Sequence, residues 1–144
     1  MTFLLTLLAA IFVLGPLIAL HEWGHYIVAR MCGVKVLTYS IGFGPKLFGW
    51  TSKKSGIDYR ISALPLGGYV KMLDEREGNV AKDEQHLAFN YQHPLKKIAI
   101  VAAGPIMNFI IAIALFWVLF MTPSEQLATK IGQVLPDTPA AMAQ

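Results

Sequence analysis

Two stretches of the chain are apolar and free of charge, and a polar, charged segment separates them. From Phe3 to Leu20 only Thr6 and the Gly15-Pro16 pair interrupt the apolar run, and helical patterning continues through His21 to Ala29. A helix of about 20 residues crosses a bilayer, so this pattern predicts a membrane span over residues 1–30. A removable secretory leader is the competing reading, but the segment lacks a basic start and no small-residue cleavage site follows Leu20. Gly15-Pro16 reads as a bend, because Pro16 removes a helix hydrogen bond that neighbouring helices or water must replace. The second run, Ile98 to Met121, opens after Lys96-Lys97 and closes at Thr122-Pro123, which predicts a second span over residues 98–121.

Residues 31–73 change period. Lys35 to Phe43, Ile57 to Ile61 and Gly68 to Leu73 carry β-branched and aromatic side chains bounded by Gly, Pro or Ser, and predict a small antiparallel sheet. Residues 74–97 turn polar and charged, a solvated linker with a short helix expected at its far end. The fold class is therefore a mainly α-helical membrane protein: two transmembrane helices with an intervening loop that contains a small β-hairpin or sheet.

Composition supports the bilayer. Of 144 residues, 55% are hydrophobic and only 15% charged, and the mean hydropathy of +0.51 exceeds that of an ordinary soluble domain. Eleven of the twelve Lys and Arg lie between Arg30 and Lys97, with Arg30, Lys35, Lys96 and Lys97 close to the helix ends. The positive-inside rule then puts the middle loop in the cytoplasm and both termini outside. The excess positive charge is not interleaved with an aromatic-rich surface, so nucleic acid is not an expected partner. The single cysteine, Cys32, excludes an intrachain disulfide.

Chemistry concentrates at the end of the first span. His21-Glu22-Trp23-Gly24-His25 fits H-E-x-x-H, whose spacing puts both imidazoles on one helix face, one turn apart, where they can grip one Zn²⁺. Glu22 is then the candidate general base for a water activated by the metal. Such polar residues can also simply glue helices together, but an ionisable Glu between two His within a span is costly in lipid and marks a functional site by default. A catalytic zinc takes three protein ligands and a water. Asp58, Asp74, Glu75, Glu77, His86 and His93 all fall in the polar middle, where solvated charge is the simpler reading, so the third ligand is expected outside them. Gly67-Gly68-Tyr69-Val70 reads either as a turn and strand or as an edge strand that presents substrate to the zinc. Asn108, on the second span, reads as a group in the catalytic cavity or as a contact to a neighbouring helix.

Beyond H-E-x-x-H, three stretches carry a resemblance: Gly42-Phe43-Gly44-Pro45, Pro65-Leu66-Gly67-Gly68-Tyr69-Val70-Lys71 and Ala103-Gly104-Pro105-Ile106-Met107-Asn108-Phe109. Together with the zinc motif they make the chain resemble the site-2 protease family of intramembrane zinc metalloproteases over nearly its whole length. The resemblance implies that His21 and His25 bind zinc and that Glu22 activates water. It implies that the middle loop folds back on the membrane as a β-hairpin beside the active site, in a multi-pass bacterial inner-membrane protein. It also implies cleavage of single-span membrane proteins, such as an anti-sigma factor. The family's third ligand is an Asp in a Leu-Asp-Gly motif on a later helix; Leu73-Asp74-Glu75 looks similar but sits in a charged stretch lacking Gly. Within residues 122–144, Ile131 to Ala141 looks like the opening of a PDZ domain. The rival readings are a truncated, non-catalytic membrane adaptor lacking the third ligand, and a transporter using His21 and Glu22 in a proton path.

Overall fold

The computed structural model describes residues 2–122, so the PDZ-like stretch lies outside the described residues. Helix α1 runs Thr2–Met31, and α2 runs Pro94–Met121. Both are long and apolar enough to cross a membrane. α1 continues through Pro16, so the bend expected there does not break the helix. At its far end Gly33 takes a left-handed φ of 82°, and the amides of Cys32, Gly33 and Val34 return to the carbonyls of Val28, Arg30 and Ala29. The last carbonyls of α1 are thereby satisfied, as a helix end requires.

α2 begins four residues before the charge-free run that predicted it. Pro94 supplies a preset helical φ at the first position, and His93 caps the turn, its Nδ1 accepting from the Leu95 amide at 3.3 Å. Lys96 and Lys97 are therefore helical, and their side chains tie the helix start to neighbouring chain: Lys96 Nζ donates to Cys32 O at 3.0 Å and Lys97 Nζ to Asn90 O at 2.6 Å. From Leu115 the end of α2 forms a unit of its own, with Phe116 and Phe120 stacked at 6.3 Å.

Between the helices, two long strands replace the three short ones expected from the sequence. β1 (Val36–Thr51) and β2 (Asp58–Met72) form one antiparallel pair with several register shifts. Each strand folds on itself. Residues 38–41 pair with 68–71 on one side and with 58–61 on the other, while 58–61 also pair with 48–51. Asp58 fixes the start of β2, accepting from Lys46 Nζ at 2.5 Å and from Arg60. Among the described residues the run 68–71 has a partner on one side only, so it is an edge. The short helical structure expected at the far end of the linker takes the form of two 3-10 helices, Lys82–Leu87 and Phe89–Tyr91.

The core gathers where these elements meet. Ala29, Val34, Val36, Ile57 and Ile100 are buried together, with Tyr26, Tyr59, Val70, Met72 and Phe89 packed around them. Elsewhere apolar side chains face outward along both helices and onto the sheet, where Leu47 is 70% exposed and Leu66 80%. Such a continuous apolar exterior fits lipid rather than water.

The two helices pack closely at small residues. A Cβ on Gly24 would stand 2.6 Å from Ala103 O and 3.0 Å from Met107 Cβ, so the glycine lets the backbones approach, as in tight membrane helix pairs. Gly24→Ala should push the helices apart and destabilise the detergent-solubilised chain by about 1–3 kcal/mol, read as a lowered thermal midpoint. An unchanged midpoint would rule out this close packing.

Candidate metal centre

α1 brings His21 and His25 to one face, one turn apart, with ring centroids 4.9 Å apart and nearly perpendicular planes. Their Nε2 atoms approach to 3.3 Å. Two imidazole nitrogens held by a tetrahedral zinc, each at about 2.0–2.1 Å, stand about 3.3–3.4 Å apart. The pair therefore already has the separation that two corners of such a site require.

The outer nitrogens are held by α2. His25 Nδ1 donates to Ile100 O at 2.7 Å, which leaves Nε2 of the neutral ring as a lone pair. His21 Nδ1 meets Asn108 Nδ2 at 3.0 Å, while Asn108 Oδ1 is buried without a partner. Turning the amide by half a revolution places Oδ1 against His21 Nδ1, which then donates to it, satisfies the orphaned oxygen and frees the second Nε2 lone pair as well. Two lone pairs facing each other at this distance repel unless a cation lies between them. Carbonyl and amide partners on the outer nitrogens of ligating histidines are the usual means of aiming them.

Gly104 makes room beneath the pair. A Cβ there would fall 2.7 Å from His21 Nε2 and closer still to His25 Nε2, so any larger side chain would occupy the space the ligands share. Glu22 and His25 line a cavity of ≈ 400 Å³ together with Gly68, Tyr69, Val70, Lys71, Met72 and Ile100, so the edge run of β2 forms one of its walls. Gly68 allows that contact. A Cβ on it would meet Glu22 Cγ at 2.8 Å and Ser40 O at 2.7 Å. Gly67 turns the chain with a φ of 151° beside the Phe43 ring. Tyr39 anchors the sheet to α1 by donating to Ala19 O at 2.6 Å; burial, and then the charge of Glu22, push its phenol up to about 12, so the donor keeps its proton across the physiological range.

Of the residues singled out from sequence, His21, His25 and Asn108 come together, and Glu22 meets Gly68, Tyr69 and Val70 at the cavity. Asp74 and Glu77 line the same cavity, although Asp74 Oδ1 accepts from the Arg76 amide at 2.9 Å and Glu77 pairs with Lys71 at 3.1 Å. Among the described residues no group of three or more His, Cys, Asp or Glu is assembled. The sequence reading missed the Ile100 carbonyl, Tyr39 and the clearance at Gly24. Only Pro105, which frees the adjacent Val101 carbonyl, hinted that the backbone of α2 near Ile100 has a polar task.

The chain matches the model of peptidase family M50 over residues 9–143. It is 47% identical over 143 residues to Protease RseP of Yersinia pestis, covering 99% of this chain and 32% of the relative. It is 46% identical over 144 residues to the regulator of sigma E protease of Salmonella typhimurium strain LT2, covering 100% of this chain and 32% of the relative. A Neisseria meningitidis protein whose name describes a zinc metalloprotease is 50% identical over 138 residues, 96% of this chain and 30% of that protein. The chain thus spans about a third of the length of these curated relatives. A match that takes in the His-Glu-x-x-His helix, the sheet and the second apolar helix together identifies the chain as a member of peptidase family M50, the site-2 proteases.

Proposed function

We propose that the chain forms the front part of an intramembrane zinc metalloendopeptidase that cleaves single-span membrane proteins, an anti-sigma factor being the fitting substrate class. The observation that carries the reading is the 3.3 Å approach of His21 Nε2 and His25 Nε2, with both outer nitrogens held by α2. In this reading His21 and His25 hold the zinc, Asn108 and the Ile100 carbonyl aim them, and the third ligand comes from beyond the described residues. A bound zinc supplies a Lewis acid that polarises a scissile carbonyl and acidifies water towards neutrality. Glu22, beside His25 at the cavity, takes the proton from the attacking water and returns it to the leaving amine. The sidedness that fits the charges is a cytoplasmic middle loop with extracytoplasmic termini in a bacterial inner membrane.

Presentation of substrate falls to the edge run of β2. A transmembrane substrate hides its amides in its own helical hydrogen bonds, so cleavage requires an unwound segment whose freed groups find new partners. Gly67, Gly68, Tyr69 and Val70 supply such partners along an unpaired edge, with Gly68 in contact with Glu22.

Three outcomes test this. The purified chain should bind zinc more weakly by at least tenfold after His21→Ala or Gly104→Val, measured by metal titration; undiminished affinity in both would end the site assignment. In a full-length enzyme carrying this segment, Glu22→Gln should keep the metal and lose at least about a thousandfold in cleavage rate; surviving turnover would move the base elsewhere. In the same enzyme, with its fold intact, Val70→Pro should slow cleavage of a helical membrane substrate far more than of an unfolded peptide, because proline removes an edge amide. Equal effects on both would remove the strand-pairing role.

A further inference from the structure

A second cavity, of ≈ 330 Å³, lies at the far end of α1, with Arg30, Lys35, Lys54 and Ser55 in its lining. Its volume falls within the roughly 300–1,000 Å³ of small-ligand sites. The mechanism of proteolysis uses none of these residues. The three cations come from three separate segments: Arg30 from the last turn of α1, Lys35 from the link to β1 and Lys54 from the turn between the strands. The floor is apolar, since Val34, Val36 and Ile57 belong to the buried core.

The charges there are only partly answered. Lys35 pairs with Glu84 at 2.5 Å, whereas Arg30 and Lys54 have no carboxylate partner among the described residues. Arg30 is nonetheless oriented: its Nη1 donates to Tyr26 Oη at 3.3 Å and its guanidinium lies 5.9 Å over the Tyr26 ring. The carbonyls at the end of α1, which would repel an anion, are turned inward onto the amides of Cys32, Gly33 and Val34. The hydroxyl of Ser55 adds a neutral donor, on a turn closed by Gly56 N to Ser52 O at 2.8 Å.

We infer that this cavity binds the phosphate group of an anionic phospholipid. Positive charge near a membrane helix end is common and attracts anionic lipid diffusely. An open pocket with an apolar floor and a guanidinium held over Tyr26 adds what a diffuse field lacks: a place for one phosphate, with the lipid's apolar portion then free to lie on the apolar exterior of α1. The inference rests on α1 crossing the membrane, so that its last turn lies at headgroup depth. A soluble phosphate ester offers the same anionic group, and competition separates the two sources.

The experiment reconstitutes the chain in nanodiscs of phosphatidylcholine containing a minor share of phosphatidylglycerol and counts lipids retained after gentle release into a mass spectrometer. Phosphatidylglycerol should be retained preferentially, and Arg30→Gln with Lys54→Gln should lower that preference roughly 30-fold, about a factor of five per basic residue. Arg76→Gln with Lys82→Gln removes the same charge outside the cavity and should leave the preference within about twofold. Lys54→Arg alone keeps the charge and leaves the Arg30 guanidinium over Tyr26, so it should retain most of the preference, and an unchanged thermal midpoint of the double Gln variant separates lost binding from lost folding. Undiminished preference in the first pair, or equal loss in the second, would overturn the site. Displacement by millimolar glycerol phosphate would keep the phosphate chemistry and overturn the lipid as its source. In a Cys32→Ser background, labelling of Ser55→Cys in intact cells by a membrane-impermeant thiol reagent would refute the cytoplasmic sidedness proposed above without touching the lipid result.

Discussion

The site depends on how closely α1 and α2 approach. Gly24 faces Ala103 with no room for a side chain, and one residue further along α2 Gly104 lies under the two imidazoles. With the backbones at that separation, the Ile100 carbonyl comes within 2.7 Å of His25 and the Asn108 amide within 3.0 Å of His21. Each imidazole thus finds a partner for its outer nitrogen on the other helix, four residues before and four after Gly104. In lipid no water is available to answer a polar group left over. A helix pair held apart by larger side chains would strand both histidines, and the cost of their burial would fall on the fold rather than be offset by it.

The parts of this arrangement that follow a local pattern were legible in the sequence. Both helices come from long apolar runs free of charge, and the i, i+4 spacing alone puts His21 and His25 on one face. The β character of the loop was also visible, but its extent was not: Gly44-Pro45 and Pro65-Leu66-Gly67 read as strand boundaries, whereas the strands run through them by bending. A folded-over strand pairs with two neighbours at once, as 38–41 do, and periodicity carries no trace of which neighbours those are. The start of α2, four residues ahead of the expected span, was not visible for a similar reason. Charge marked where the apolar run begins, but a proline at the first helical turn and a histidine cap decide where the helix begins.

What lay beyond sequence reasoning is mostly backbone. A carbonyl such as that of Ile100 has no residue identity to recognise, and a glycine that gives clearance at 24, 68 or 104 looks in sequence like a glycine that gives a turn. The distinction is spatial. Gly67 has a left-handed φ and serves the turn, whereas the glycine after it serves proximity, since a Cβ there would collide with Glu22. One Gly-Gly pair therefore does two jobs, turning the chain and then laying its edge against the carboxylate.

That juxtaposition links the sheet to the chemistry. An unpaired edge is a liability unless something covers it, because its amides are left without a partner strand. An unwound stretch of a membrane helix has the same deficit, so each can supply what the other lacks, and the exchange of hydrogen bonds is close to even. In the proposed presentation of substrate the net drive would then come from side chains seated in the cavity and from the alignment of the backbone past Glu22, and not from the number of amides paired. Two imidazoles aimed by the fold before any metal arrives, with no third acidic or imidazole ligand gathered beside them among the described residues, add a further condition. Metal affinity in such a half-built site depends on the ligand that completes it. In the proposed enzyme, whatever segment brought that ligand against α1 and α2 would be stabilised by the metal it helps to hold, which would couple assembly of the helices to the onset of activity.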